Sequence, residues 1–163
     1  MKNTNKVFIA ASLDSFIADK QGGIDWLHDI PNPDNNDMGY KKFFESIDAL
    51  IMGRITFETV CSFDIEWPYS KPVFVLSNSL TSISKEYEGK VTLVNGELTE
   101  VVNQINKQGF HNLYIDGGTT IQGFLKQDLI DSITITTIPI LLGGGSPLFS
   151  NLDNPLKFKC IQN

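Results

Sequence analysis

Cysteine is scarce in this sequence of 163 residues: only Cys61 and Cys160 are present, far apart and without a CxxC motif. This spacing excludes a framework of disulfides and gives no support for a zinc site. The two histidines, His28 and His111, also stand apart from other metal-binding side chains, so we expect no bound metal. Because thiols without a disulfide pattern are typical of reducing compartments, the composition predicts a cytoplasmic protein.

Long apolar runs and clusters of basic residues are missing as well. No stretch approaches the roughly 20 apolar residues that span a bilayer, and the first apolar run ends at Asp14, which makes it too short for a signal peptide. The net charge is -6, and no run of Lys or Arg offers the phosphate-neutralising surface that nucleic-acid binding requires. We therefore expect neither a membrane nor a nucleic acid as a partner.

Two familiar phosphate-binding motifs are absent. Without GxxxxGK[ST] the sequence lacks a nucleoside-triphosphate loop, and without GxGxxG it lacks the usual dinucleotide fingerprint. Residues 143–147, GGGSP, do not form the GxSxG elbow of a hydrolase, and Ser146 has no base beside it in the sequence. We interpret these glycines as a hairpin bend.

Apolar runs and amphipathic stretches alternate along the whole sequence. Strands are predicted over 6–13, 48–53, 71–78, 90–94, 112–116, 131–145 and 155–162, and helices over 38–47, 55–63, 98–109 and 119–127. Strands that alternate with helices predict one α/β domain over residues 1–163, with a mostly parallel sheet and helices on both faces. The final two strands are placed to pair antiparallel, and residues 15–37 are predicted to form a long polar loop.

Small and hydroxyl residues follow three of the predicted strands, at Gly53–Thr56, Ser77–Ser79 and Gly117–Thr120. The carboxyl ends of parallel strands meet at one edge of the sheet, where ligands bind. Two of these segments also open a helix, whose first N–H groups attract anions. The pair Gly117-Gly118 alone is equally consistent with a tight turn. Taken together, the three segments predict a pyrophosphate site.

Arg54 follows a buried strand at the entrance to a helix, and no acidic residue stands beside it. The guanidinium fork suits a phosphate monoester, whereas an acid at such a strand end is typical of sites that bind the free ribose of NAD. With Ser77 and Asn78, Arg54 therefore predicts a 2′-phosphate, and so NADPH rather than NADH. A surface role, capping a neighbouring carbonyl, stays as the alternative.

Five segments together resemble the dihydrofolate reductase superfamily: IAASLDSFIAD, DALIMGRITFE, PVFVLSNS, LYIDGGTTIQGFL and ITTIPILLGGGSPLF. Within it, the chain is most similar to the reductase domain that forms the C-terminal part of the bifunctional deaminase-reductase of bacterial riboflavin biosynthesis, in a stand-alone form. The resemblance implies a three-layer fold around a mostly parallel mixed sheet, a homodimer, and NADPH as cofactor.

The activity that the resemblance implies is hydride transfer to a small heterocyclic substrate, resembling either 5-amino-6-(5-phosphoribosylamino)uracil or a pterin. True dihydrofolate reduction and a nucleotide sensor without turnover stay open as alternatives. The cofactor contacts that the resemblance implies are with residues at the strand ends and beside the nicotinamide. They are Ala10, Ile17, Gly53, Arg54, Thr56, Leu76, Ser77, Asn78, Gly117, Gly118, Thr119, Thr120 and Ile121.

The resemblance also implies catalytic residues. Asp37 matches the acid of folate-reducing members, with Asp34 as a rival, and Thr136 matches a threonine that faces the substrate. To donate a proton, Asp37 needs a pKa well above ~3.9, which burial against Trp26 and Phe43 would supply. A helix N-cap explains Asp37 equally well, and an ordinary strand position explains Thr136.

Three features depart from the family pattern. Ser15 stands where relatives usually have glycine, which predicts a stiffer loop over the nicotinamide, and Asp116 stands where riboflavin-type reductases have glutamate. The sequence also ends at LKFKCIQN, where the family continues through a further turn and strand. Since an unpaired sheet edge invites a second chain, this ending adds to the expectation of a homodimer.

Overall fold

The computed structural model describes residues 2–162, so the ends of the predicted domain, Met1 and Asn163, lie outside the described residues. The α/β architecture is confirmed. The strands are β1 (Thr4–Ser12), β2 (Phe16–Ala18), β3 (Ala49–Gly53), β4 (Val73–Leu76), β5 (Val91–Val94), β6 (Asn112–Asp116), β7 (Ser132–Ile138) and β8 (Ser146–Pro147). The α-helices are α1 (Tyr40–Glu45), α2 (Arg54–Ser62), α3 (Leu98–Lys107) and α4 (Gly118–Lys126). None of the helices in this range has the length and apolar character that crossing a bilayer requires.

The central sheet has the strand order β5-β4-β3-β6-β1-β7, and every pairing in it is parallel. The predicted antiparallel pairing of the final two strands was wrong; the antiparallel pairing within residues 2–162 is in a separate ribbon, where β2 pairs with β8. Because β3 lies between β4 and β6, the three segments rich in small and hydroxyl residues follow neighbouring strands.

Helices cover both faces of the sheet, as predicted. Along β3, Ala49 and Ile51 pack into a core that also contains buried residues of α3 and α4. Leu50 and Met52 point to the opposite face, where they pack with Phe57 of α2 and with the aromatic residues of α1. The alternation explains why β3 is apolar at four successive positions: each face of the strand is buried beneath a different helical layer.

Several predicted boundaries were wrong. Helix α1 begins at Tyr40 rather than residue 38, because Met38 and Gly39 have φ values of 53° and 87°, outside the helical range. Strand β7 ends at Ile138, just before Pro139, which lacks the N–H that a parallel ladder needs. Residues 155–162 form no strand in spite of their alternating pattern, while β2 and β8 lie in segments predicted as loop and bend.

Candidate active site

A cavity of about 1100 Å³ opens at the carboxyl ends of β1, β3, β4 and β6. Its volume is slightly above the roughly 300–1,000 Å³ that is usual for ligand pockets. All three predicted segments contribute to its wall, which confirms that they lie together. The predicted residues in the wall are Ala10, Ile17, Gly53, Arg54, Thr56, Leu76, Ser77, Asn78, Gly117, Gly118, Thr119 and Thr120.

Gly53, at the end of β3, and Gly117, directly after β6, leave no room for a side chain beside the threonines of α2 and α4. A Cβ atom on Gly117 would collide with Oγ1 of Thr56, and one on Gly53 would lie 2.7 Å from Oγ1 of Thr120. Gly117 also has a φ of 91°, which favours glycine. The group that approaches the backbone of Gly117 most closely is therefore a hydroxyl of the protein itself. We call these two crossed contacts, Gly117–Thr56 and Gly53–Thr120, the glycine–threonine interlock.

The N-terminus of α4 offers donors to the cavity. The first backbone hydrogen bond of this helix runs from the N–H of Ile121 to the carbonyl of Gly117, at 2.8 Å. The N–H groups of Gly118, Thr119 and Thr120 precede that bond, so they have no partner within the helix. A helix start of this kind fits a phosphate group. The side chain of Ile121, in contrast, is 1% exposed and belongs to the core rather than to the wall.

The segment after β4 is held by its own serine. The hydroxyl oxygen of Ser77 accepts N–H groups of Ser79 at 3.2 Å and of Leu80 at 3.0 Å, which forms a tight turn. Ser77 is buried, whereas the side chains of Asn78 and Ser79 are exposed in the wall. Ser77 therefore shapes this end of the cavity, and Asn78 and Ser79 are the side chains open to a ligand.

Arg54 lies in the cavity wall but its guanidinium group has a partner. Its Nη1 atom donates to both carboxylate oxygens of Glu58, at 2.9 and 2.7 Å, one helical turn along α2. Both side chains are substantially exposed, so the pair contributes little to stability. An anion in the cavity would compete with Glu58 for Arg54.

Asp37 does not have the environment that the sequence predicted. Its carboxylate is exposed and accepts N–H groups of Lys41 and Gly39, each at 2.9 Å. These bonds, that of Lys41 first, lower the pKa of Asp37, so Asp37 lacks the raised pKa that donating a proton would require. The N-cap of α1 is Gly39, so Asp37 is not the N-cap itself, although its carboxylate accepts the N–H of Lys41 in the first turn of the helix.

Trp26 and Thr136 lie elsewhere in the fold, and among residues 2–162 neither belongs to the cavity wall. Trp26 is buried, in a short 3-10 turn whose neighbours Ile24 and Leu27 do line the cavity. Thr136 lies on β7, in register with Ala10 of β1. Their catalytic roles, like that of Asp37, stay predictions.

Asp116 is the acidic residue that the sequence analysis did not assign to the site. It ends β6, lines the cavity, and accepts the N–H of Gly117 at 2.9 Å. Burial raises the pKa of Asp116 to about 6. The pKa values of Tyr40, Tyr69 and Tyr114 are also raised, first by burial and then by the charge of Asp116. In the sequence, the signal that could have identified Asp116 was a single acidic residue between an apolar strand and two glycines.

The β2–β8 ribbon covers one side of the cavity. Phe16 pairs with Pro147 and Ala18 with Ser146, and residues of both strands line the wall. The carboxylate of Asp14 attaches the glycine loop before β8, because it accepts the N–H groups of Leu142 at 3.1 Å and Gly143 at 2.8 Å. The turn after β1 therefore fixes the position of the β2–β8 ribbon over the cavity.

The backbone at Ser15 is left-handed, with a φ of 64°. A glycine would adopt this conformation without strain, which is a physical reason for the glycine expected here. Among residues 2–162 no histidine lines the cavity, and the ring of His111 bonds to Asn3 instead. Ser146, although in the wall, therefore has no histidine there to act as its base, and hydrolysis has no support.

Comparison with known proteins gives consistent results. The RibD C-terminal domain family matches residues 6–163. The chain is 35% identical to the uncharacterized protein YwjB of Bacillus subtilis (strain 168), over 98% of this chain and 90% of that protein. It is 57% identical to a crystal structure described as a candidate riboflavin biosynthesis protein from Shewanella sp. PV-4, with a TM-score of 0.94, 98% of this chain and 90% of the other covered.

A more distant structure extends the likeness in fold. The bifunctional diaminohydroxyphosphoribosylaminopyrimidine deaminase/5-amino-6-(5-phosphoribosylamino)uracil reductase of Thermotoga maritima has a TM-score of 0.75 at 14% identity. The match covers 99% of this chain but 53% of that protein. At this identity the likeness shows the fold alone. The predicted resemblance to a riboflavin-type reductase domain with a dihydrofolate reductase-like fold is thereby confirmed.

Proposed function

The chain belongs to the RibD C-terminal domain family, and from this premise we propose that it is an NADPH-dependent reductase of a small heterocyclic substrate. The observation that carries the proposal is the cavity, which joins three strand ends suited to a dinucleotide with Asp116, a partly buried acid whose pKa is raised to about 6. The reaction class is hydride transfer to the carbon of a C=N or C=O bond.

The residues of the wall fit the cofactor. We assign the N–H groups at the start of α4 to the pyrophosphate, Arg54 and Asn78 to the 2′-phosphate, and Ala10 and Ile17 to the nicotinamide end, because all of them line the cavity. When bound, NADPH would supply the hydride. The protein supplies orientation and electrostatics, since the interlock holds the ends of β3 and β6 in a fixed relation.

Asp116 is the group that we propose as the source of the proton. The nitrogen or oxygen of the reduced bond gains a proton as its carbon gains the hydride, so the site needs an acid that holds a proton near neutral pH. A pKa of about 6 leaves a useful fraction of Asp116 protonated there. Tyr69 lies in the same wall, and the charge of Asp116 contributes to the raised pKa of Tyr69.

The proposed substrates are pyrimidines that resemble 5-amino-6-(5-phosphoribosylamino)uracil, or pterins; dihydrofolate reduction is the alternative within the same chemistry. Quenching of tryptophan fluorescence would measure NADPH binding, and the loss of NADPH absorbance would measure turnover with each compound. Binding with turnover of any of these compounds supports the reductase. Binding without turnover of any would favour a nucleotide sensor, and the absence of NADPH binding would refute both.

Arg54→Ala is expected to reduce the preference for NADPH over NADH about tenfold or more, because a charge-assisted hydrogen bond contributes about 1.5–3 kcal/mol. Glu58→Gln is the matched variant, since it removes the partner that competes for Arg54 and should increase the preference. Dissociation constants of both cofactors measured for the three proteins give the ratios. Unchanged ratios in both variants would show that Arg54 does not contact the 2′-phosphate.

We also propose that the protein works as a homodimer. β7 ends the strand order of the sheet, and its Ile135 is 40% exposed, so within residues 2–162 this edge has no strand beside it. Ile135→Lys is expected to give a monomer in light scattering, while Leu141→Lys, in the loop beyond β7, is expected to leave the dimer intact. A monomeric natural protein would refute the proposal.

We propose a reducing, cytoplasmic location, in keeping with the two free thiols of Cys61 and Cys160. Fractionation of cells followed by immunodetection tests it, and recovery of the protein from an oxidising compartment would contradict it.

A further inference from the structure

The cavity wall carries very little charge. Among its residues, within the described range 2–162, only Arg54 and Asp116 have charged side chains, and Arg54 is already paired with Glu58. Lys20, in the loop between β2 and α1, is exposed; its side chain passes Gly144, beside the wall, but does not belong to the wall. A second negative charge in the cavity would thus meet Asp116, and the one cation available to it in the described wall would be Arg54.

A second group of wall residues is apolar, and one of them, Ile55, lies between Arg54 and Thr56 of a predicted phosphate-binding segment. Ile24 and Leu27 come from the loop after β2, while Ile55, Val60 and Phe63 come from α2 and its end. We call these five residues the apolar wall. Ile55 is 65% exposed and Phe63 39% exposed although both line a cavity, which is typical of surfaces that bind the face of a flat, uncharged ligand.

A phosphorylated substrate would need donors that this part of the cavity lacks. A phosphate monoester carries about -1.5 to -2 charges near pH 7, and proteins bind it with Arg, Lys or the start of a helix. The helix starts in the wall belong to α2 and α4, at the segments that the proposed function assigns to the cofactor. A second phosphate beside the apolar wall would lose its hydration without a partner.

The structure therefore assigns an uncharged, unphosphorylated substrate to this site, an inference that rests on the proposed function. Within the proposed pyrimidine class, the substrate is the ribosylamino compound without its 5′-phosphate, and the product is the corresponding ribitylamino compound. Its C=N or C=O bond takes up two electrons and two hydrogens, one as the hydride of the cofactor and one as a proton from the site. No bond to phosphorus is made or broken.

Two probes that differ only in the 5′-phosphate test the inference: 5-amino-6-(ribosylamino)uracil and its phosphorylated form. Calorimetry measures their binding to the whole protein with and without NADP+, and NADPH oxidation measures turnover. We expect the unphosphorylated probe to bind at least about tenfold more tightly. Equal or tighter binding of the phosphorylated probe overturns the inference, and so does the absence of binding of the unphosphorylated probe to protein that binds NADP+.

A failure of the proposed function is distinguishable, because it shows as absent NADP+ binding or absent turnover while the order of the two probe affinities persists. Phe63→Arg adds a cation to the apolar wall and is expected to raise the affinity for the phosphorylated probe about tenfold. Phe149→Arg is the control, since Phe149 is similarly exposed, at 45%, but lies outside the wall. An equal gain in both variants, or a gain in neither, contradicts the assignment of this wall to the substrate.

Discussion

Replacement of Asp116 by asparagine is expected to lower kcat by about 10²–10⁴-fold, the usual contribution of a positioned general acid. Asparagine keeps the size of the side chain but cannot release a proton, so the affinity for NADPH should stay within about twofold of the natural value. Steady-state kinetics and cofactor titration on the same preparations measure the two effects. A variant that keeps full turnover would exclude Asp116 as the donor.

The pH dependence gives an independent check. If Asp116 donates the proton, its protonated form is the active one, so kcat of the natural protein should fall as the pH rises through about 6, and this decrease should vanish in Asp116→Asn. Asp37→Asn is the informative comparison, because Asp37 is exposed and its pKa is lowered. If Asp37 were the donor instead, the loss of kcat would follow that substitution.

Asp116→Asn should raise the stability of the protein, although it lowers kcat. The pKa of Asp116 is about 6 in the folded protein and 3.8 ordinarily, so the folded state holds the proton more tightly. The contribution of Asp116 to the free energy of unfolding is therefore largest below about pH 4, and this contribution is lost as the pH rises to 6. Above pH 6, the free energy of unfolding of Asp116→Asn, measured by denaturant titration, should be about 1–3 kcal/mol higher than that of the natural protein.

Gly117→Ala is expected to have the second large effect: loss of about 2–4 kcal/mol of stability and of measurable NADPH binding. The backbone at Gly117 has a φ of 91°, and its new Cβ would collide with Thr56. Gly109→Ala is the control, because Gly109 has a φ of 96° but nothing within 4 Å of its added Cβ. The stability lost in Gly109→Ala measures the cost of placing alanine in this backbone conformation, without a collision.

A double variant isolates the collision. Thr56→Ala in the background of Gly117→Ala removes the hydroxyl and should restore about half of the lost stability. If Gly117→Ala loses no more stability than Gly109→Ala, the interlock does not exist.

Should Gly117→Ala fail to fold, Gly118→Val tests NADPH binding instead, because the first atom that its Cβ meets is the flexible tip of Ile17, at 2.8 Å. This variant should fold and bind NADPH at least about tenfold more weakly.

Local pattern and general topology were enough to predict much of the site. The apolar runs of β3, β4 and β6 identified the strands, and the rule that parallel strands end at one edge brought Gly53, Ser77 and Gly117 together. The predicted strand over residues 155–162 failed, because alternation shows only that a segment can pair. Whether a partner edge is within reach depends on the rest of the chain.

The role of Asp116 and the interlock required the three-dimensional structure. The pKa of a carboxyl group depends on what surrounds it, and the residues beside Asp116 come from segments far apart, including Tyr40 and Tyr69. Likewise, the contact between Gly117 and Thr56 joins two elements that no sequence pattern connects. Asp37 had a recognisable position but not the predicted burial, since the loop before α1 remains at the surface.

The ribbon of β2 and β8 has a consequence for how the molecule comes into being. It joins residues 16–18 to residues 146–147, so one wall of the cavity forms only after residue 147 has been synthesised. During translation, strands β3 to β6 can associate before this ribbon closes, because contacts between segments far apart in sequence form slowly. The dinucleotide that we propose as cofactor would therefore bind after the ribbon has closed and would not serve as a template for folding.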